Sequence, residues 1–155
     1  MRWTAIVPIR PSAQGKTRLS GALTAKERKR LIEHLFVHVM DTLQSVSMIM
    51  DVVALSESRP NRWQGRWLMD KGHGLNSELQ AAAASVGNSA LLVAHADLPL
   101  LSKLDIEALL AAAEADCAIA PDRHGTGTNA LALGHGAADF RFTFGPDSFS
   151  RHVAA

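Results

Sequence analysis

A chain of 155 residues with 47% hydrophobic and 20% charged side chains can bury a sizeable core as one compact domain, 1–155, without staples. Sixteen Lys plus Arg against fifteen Asp plus Glu leave a net charge of +1, which excludes the broad basic field that nucleic acid demands, and a lone cysteine, Cys117, excludes an internal disulfide framework or a Cys-rich zinc site. No apolar run approaches the ~18–20 residues of a bilayer span, and the first residues lack the apolar h-region of a signal peptide, so a soluble, cytoplasmic chain without a membrane partner is expected.

Trp3 to Ile9 is a short apolar run that ends at Pro8-Ile9-Arg10-Pro11, which predicts a buried strand feeding a loop. From Ala25 to Ser47 the residues Ile32, Leu35, Phe36, Val39, Leu43 and Val46 share about a third of a helical circumference. Thr24 and Glu27 have capping-box spacing at its start. A second strand covers Met48 to Leu55, a polar loop Ser56 to Gln64, and a short strand Arg66 to Met69. Gly74 opens a loop into an Ala-rich helix over Ser77 to Val86. Ala90 to Ala94 is a strongly apolar strand that runs to Asp97. Leu104 to Ala115 reads as a helix with Asp105 and Glu107 near its positive end. Cys117 to Ala120 and Asn129 to Leu133 are strand-like, and the chain closes on a loop and a helix start.

Such alternation, with near-continuous apolar strands, predicts a mostly parallel α/β sheet covered on both faces. Ligands bind outside the carboxyl ends of strands in these sheets. Four loops therefore carry the chemical interest.

The first, Arg10 to Leu19, ends in Gly15-Lys16-Thr17. The P-loop spacing fails, because Arg10 stands where that motif needs glycine. Gly15 still permits close backbone approach, and Lys16 with Arg18 supplies two cations suited to a polyphosphate; a basic surface loop is the equal alternative. Asp97, in Ala94-His95-Ala96-Asp97-Leu98-Pro99-Leu100, is a strand-end carboxylate of the kind that anchors Mg2+, or a turn former before Pro99. Pro121 to Asn129 is rich in glycine and donors and reads as an anion nest or as a plain hairpin. Phe144 to His152 offers Gly145, Ser148, Arg151 and His152 near a helix start that Asp147 or Ser148 could cap.

Other features read as structural. His34 and His38 lie four apart, a spacing that could hold zinc, but they stand opposite the apolar stripe next to Asp41 with no third or fourth ligand evident near them in sequence, so a solvated face is expected. Lys26 to Arg30 is a solvated first turn. Trp63 and Trp67 are expected to pack at the sheet edge, and Cys117 to be an inert core residue.

Taken in order, V-P-I-R-P-S-A-Q-G-K-T-R-L, G-L-N at 74–76, A-D-L-P-L-L, P-D-R-H-G-T-G-T-N-A-L and F-G-P-D-S-F-S-R-H resemble the 2-phospho-L-lactate, phosphoenolpyruvate and 3-phospho-D-glycerate guanylyltransferases of deazaflavin coenzyme F-420 biosynthesis. The likeness spans Trp3 to Ala155; the G-T-G-T-N and F-G-P-D-S-F motifs are its specific part, whereas Asp-Leu-Pro alone is weak. It implies a three-layer α/β/α nucleotidyltransferase sandwich that moves GMP from GTP to the phosphate of a small phosphorylated acid, with Mg2+ as cofactor. By position, Pro8, Arg10, Gly15 and Lys16 would hold the GTP phosphates, with Lys16 and Arg18 beside the leaving pyrophosphate. Gly74 and Asn76 would line the nucleoside pocket, and Asp97 would hold the metal. Thr128, Asn129, Gly145 and Ser148 would bind the acceptor.

Members of that family usually continue for some tens of residues past the F-G-P-x-S-F-x-R-H segment, with an Asp-rich stretch, and the region between Leu55 and Gly74 is also short here. The second metal carboxylate is then either missing or supplied by Asp122 or another nearby acid. A related nucleotidyltransferase with another base or acceptor, and a nucleotide-binding module without turnover, are the competing readings. The sequence leaves the acceptor and the oligomeric state open, a homodimer included.

Overall fold

The computed structural model describes residues 1–10, 19–87 and 90–155. Six strands form one sheet: β1 (Trp3–Pro8), β2 (Ile49–Ser56), β3 (Arg66–Met69), β4 (Ala90–Ala94), β5 (Cys117–Pro121) and β6 (Thr128–Leu133), in the order β3-β2-β1-β4-β6-β5. β3, β2, β1 and β4 pair in parallel, while β6 runs antiparallel to both β4 and β5. The expected three layers form around it, with helices α1 (Ala25–Gln44) and α3 (Lys103–Ala112) on one face and α2 (Leu75–Val86) on the other. A short α4 (Ser148–Val153) ends the chain.

Strand side chains alternate between the faces, and each face has its own size pattern. Towards α1 and α3 the sheet presents mostly small residues, among them Ala5, Ala54, Ala90, Ala94, Ala130 and Ala132, which leave room for Phe36, Met40, Leu43 and Leu110. Towards α2 it presents Ile6, Val53, Leu55, Leu91, Val93, Leu131 and Leu133, and the helix answers with Leu79 and the small Ala82 and Ala83. Large residues meet small ones on both sides, which is how two layers reach interior packing density without strain.

The helix starts follow local chemistry. Thr24 Oγ1 accepts from the Glu27 amide while the Glu27 carboxylate accepts from the Thr24 amide at 2.7 Å. Ser102 and Asp105 make a second capping box on α3, which satisfies two more of the otherwise unpaired first-turn amides. Thr24 was readable in sequence, and Ser102 was overlooked two residues before the expected helix start at Leu104.

Two structural expectations need correction. Cys117 is exposed, because it opens β5, which is the edge strand of the sheet. His38 is half-buried, not solvated; its Nε2 lies 3.0 Å from the Leu101 carbonyl, where the turn before α3 leans on α1. His34 is exposed, as expected. Trp63 is buried and meets Phe36 edge-on at 6.4 Å, and Arg59 lies 5.8 Å over the Trp67 ring, so both tryptophans pack at the β3 edge. No helix among the described residues is long and apolar enough to cross a membrane.

Candidate active site

The carboxyl ends of β1, β2 and β4 open on one edge of the sheet, and the start of the antiparallel β6 reaches the same edge. Pro8 is the buried last residue of β1, and the chain emerges at the exposed Arg10 after the Ile9 amide bonds the Leu55 carbonyl at 2.8 Å. One cleft here runs between Arg10, Lys29 and Glu33 on one side and Ser56 to Arg62 on the other. Gly15, Lys16 and Arg18 lie outside the described residues.

Asp97 is exposed just beyond β4 and lines a second cleft together with Asp122, His124 and Asn129. The structure thus brings the two predicted metal carboxylates to one groove. Their settings differ. Oδ1 of Asp122 accepts from the amides of His124 and Thr126, each at 3.0 Å, and the Thr126 amide above all holds the carboxyl below its usual range. The donor-rich loop is therefore a nest already filled by its own carboxylate. No cluster of three or more potential ligands exists among the described residues. Mg2+ asks for less than that, since it takes one or two carboxylates and completes its octahedron with water and phosphate oxygens. An exposed strand-end Asp97 fits this donor chemistry.

His95 links this groove to the other side of the sheet. Its amide continues the β4–β6 ladder to the Asn129 carbonyl at 3.0 Å, and its ring meets Phe144 edge-on at 5.4 Å. Burial is the main force holding the imidazole below its usual value; Asp97 and the Thr128 backbone pull the other way, and Arg10 adds to the depression.

α2 starts at Gly74, whose φ of +93° is left-handed backbone that suits glycine. Glu78 is buried beneath this turn and accepts from the amide and Nδ1 of His73 at 3.0 and 2.8 Å, chiefly the backbone bond keeping its carboxyl low. Asn76 does not point an unused amide at the cleft. Its Oδ1 accepts from the Phe144 amide at 2.7 Å and its Nδ2 donates to the Phe144 carbonyl at 3.0 Å, so the side chain acts as a two-bond clip on the segment that leads to Gly145.

That segment completes the site. β6 carries one extra residue at the shift between Ala120 and Pro121, a bulge of the kind that redirects side chains. Thr128 then meets α4: Ser148 Oγ donates to Thr128 Oγ1 at 3.2 Å, and His152 Nδ1 lies 2.9 Å from the same oxygen. The Thr143 amide donates to His152 Nε2 at 3.0 Å. Thr128, Ser148 and His152 are all buried, at 4%, 2% and 2% exposure, while Gly145 stays exposed with φ +127°. The Asn129 amide is turned to the Pro121 carbonyl at 3.3 Å. Asp147 precedes α4 at φ +54° without capping it through its side chain, so that expected cap is not formed.

The predicted acceptor residues Thr128, Gly145 and Ser148 thus converge, with Asn76 behind them and Asp97 across the β4 end. The Asn76–Phe144 clip and the His152 contacts join residues far apart in the chain, and no sequence pattern announced them. The donor count of the F-G-P-D-S-F-S-R-H stretch was the one usable signal.

A family profile described as guanylyl transferase CofC-like matches residues 3–155. The phosphoenolpyruvate guanylyltransferase of Sphaerobacter thermophilus is 37% identical over 164 aligned residues, which cover 99% of this chain and 78% of that protein. The one from Chloroflexus aggregans is 34% identical, covering 96% and 80%. Among solved structures, a protein from Desulfovibrio desulfuricans described as a nucleotide-diphospho-sugar transferase superposes with a TM-score of 0.69 at 16% identity. That superposition covers 86% of this chain but only 64% of the larger one, and it speaks for the fold alone. The profile match and the full-length relatives place the chain in the CofC-like guanylyl transferase family.

Proposed function

We propose that this chain transfers GMP from GTP to the phosphate of phosphoenolpyruvate, as a step in making the deazaflavin coenzyme F-420. The observation that carries the reading is the 37% identity, over 99% of the chain, to a phosphoenolpyruvate guanylyltransferase. The strand-end cleft supports it, because such an edge is where an α/β sheet receives a nucleotide.

The acceptor phosphate is itself the nucleophile, so neither an activated serine nor a covalent enzyme intermediate is required. One of its oxygens forms a bond to the α-phosphorus of GTP as the bond from that phosphorus to the bridging oxygen breaks, and the electron pair leaves on pyrophosphate. Two polyanions must approach each other, and the protein's task is positioning and charge compensation. Pro8, Arg10, Gly15 and Lys16 would grip the triphosphate, and Lys16 and Arg18 would offset charge on the departing pyrophosphate. Asp97, with Asp122 across the same groove, would hold Mg2+, which when bound supplies Lewis-acid stabilisation to phosphate oxygens. Gly74 would let backbone approach the nucleoside, with Asn76 securing the wall behind it. Thr128, Asn129, Gly145 and Ser148 would receive the acceptor.

Pyrophosphate release with GTP and Mg2+ across phosphoenolpyruvate, 2-phospho-L-lactate and 3-phospho-D-glycerate tests this directly. Release highest with phosphoenolpyruvate is expected; release with ATP or CTP in place of GTP, or with none of the three acids, would overturn it. Direct in-line attack further requires inversion at the α-phosphorus, and retention with an isotopically chiral GTP analogue would contradict it.

A further inference from the structure

We infer that His152 is a positioning residue that makes the Thr128–Ser148 hydroxyl pair a fixed hydrogen-bond donor for an anionic oxygen of the acceptor, by holding its imidazole in a single tautomer. The inference rests on the reading that the acceptor lies at Thr128, Gly145 and Ser148.

The argument is a count of hydrogens. A backbone amide can only donate, and the Thr143 amide donates to His152 Nε2 at 3.0 Å. That nitrogen must then present its lone pair, so in the neutral ring the proton sits on Nδ1. Nδ1–H faces Thr128 Oγ1 at 2.9 Å, and Ser148 Oγ is 3.2 Å from the same oxygen. The trio holds three hydrogens, one on the ring and one on each hydroxyl, but has only two internal contacts. One hydroxyl hydrogen is left over and must point out of the trio.

The other tautomer reverses the outcome. With Nδ1 bare, Thr128 would donate to the ring and Ser148 to Thr128, both hydrogens would be consumed, and the trio would offer lone pairs to its surroundings. A carboxylate or phosphate oxygen accepts hydrogen bonds and is repelled by lone pairs, so the tautomer sets whether the pocket attracts or rejects the acceptor. The Thr143 amide makes that choice from behind. Burial reinforces it by holding the His152 imidazole below its usual value, which disfavours the cation that would set an N–H against the Thr143 amide. Because Thr128 and Ser148 are shielded from bulk water, the spare hydrogen is not satisfied by solvent at large and acts in a low-dielectric setting.

His152→Asn and His152→Gln separate this role from simple packing. The shorter amide can place its NH2 where Nδ1–H stands and keep the donation to Thr128; the longer one reaches the Nε2 position and keeps only the bond from Thr143. The expected result is a KM for phosphoenolpyruvate raised about tenfold in His152→Gln, the size of one lost hydrogen bond, with KM for GTP unchanged and His152→Asn substantially closer to wild type. Equal effects in the two variants, in step with their loss of Tm, would reduce His152 to packing and overturn the inference. Should neither variant fold, 15N NMR of the wild-type imidazole decides: a protonated Nδ1 and bare Nε2 support the inference, and the opposite pattern ends it. Thr128→Val tells the two levels apart. If it leaves KM for phosphoenolpyruvate untouched, the acceptor reading itself fails and the inference with it; if it raises KM while His152→Gln does not, only the role of His152 fails.

Discussion

Around the ends of β1 and β4 charge stands in the open, with Arg10 and Asp97 both exposed, whereas where β6 meets α4 the polar side chains of Thr128, Ser148 and His152 are almost completely buried. The first region presents charged side chains to solvent. The second holds two neutral hydroxyls, those of Thr128 and Ser148, against the His152 ring. The contrast follows from cost. An exposed charge can be held ready without a large desolvation penalty, while a charge buried beside α4 would demand a partner of its own. Neutral hydroxyls cost far less to bury than charges, and their contacts with one another and with His152 fix their geometry.

The contrast breaks most severely at Asp97. Asp97→Asn should cut Mg2+-dependent turnover by about 100-fold or more, yet leave Tm within about 2 °C of wild type, since an exposed change of this kind costs within ~0.5 kcal/mol. Steady-state pyrophosphate release and a thermal melt check both parts, and a large fall in Tm would show that this half is structural after all. Asn76→Ala should do the reverse. It leaves the Phe144 amide and carbonyl without their side-chain partners, which costs roughly 1–3 kcal/mol in urea unfolding and raises KM for the acceptor more than KM for GTP. Thr24→Ala lies outside both halves and serves as a reference: losing the α1 cap should cost about 1 kcal/mol in the same unfolding assay with kcat/KM preserved.

The finest separation comes from pH. His95 and His152 are both held below the ordinary value of 6.5, so the unfolded chain binds more protons than the native one in the window beneath it. Their stabilising contribution is complete above 6.5 and is lost as the pH falls through their native values. The carboxyls of Glu27, Asp105 and Asp122 are depressed too, and their contribution is lost only further down, below the carboxylate range. Thermal melts should therefore be level from pH 7 to 8 and decline first just below about 6.5, with a second decline near 4. His152→Asn should shrink the first step and leave the second alone; an unchanged first step would assign it elsewhere.

The layers, the strand positions and the Thr24 cap were legible because each depends on residues within a few positions of one another. Periodicity placed α1 within three residues at its far end, and Gly74 marked the turn into α2 although the helix begins two residues before Ser77. Cys117 misled because an apolar strand at a sheet edge has the same local pattern as one at the centre; only strand order distinguishes them. The nest at 122–129 misled for a related reason. A run of glycines and donors predicts anion binding, but not that Asp122 from the same loop supplies the anion. Thr128, Gly145 and Ser148 were singled out by residue type, while the burial of the two hydroxyls against one another required the β6 bulge, the α4 docking and His152 together.

The Asn76–Phe144 clip also bears on synthesis. Its two ends are 68 residues apart, so on the ribosome the turn at the start of α2 emerges long before the segment it will hold. β1, β2 and β3 can pair early, since all three lie within the first 69 residues. Thr128 and Asn76 must wait for the last thirty or so residues of the chain. The buried hydroxyl pair and the Asn76 clip are therefore among the last parts of this end of the sheet to form.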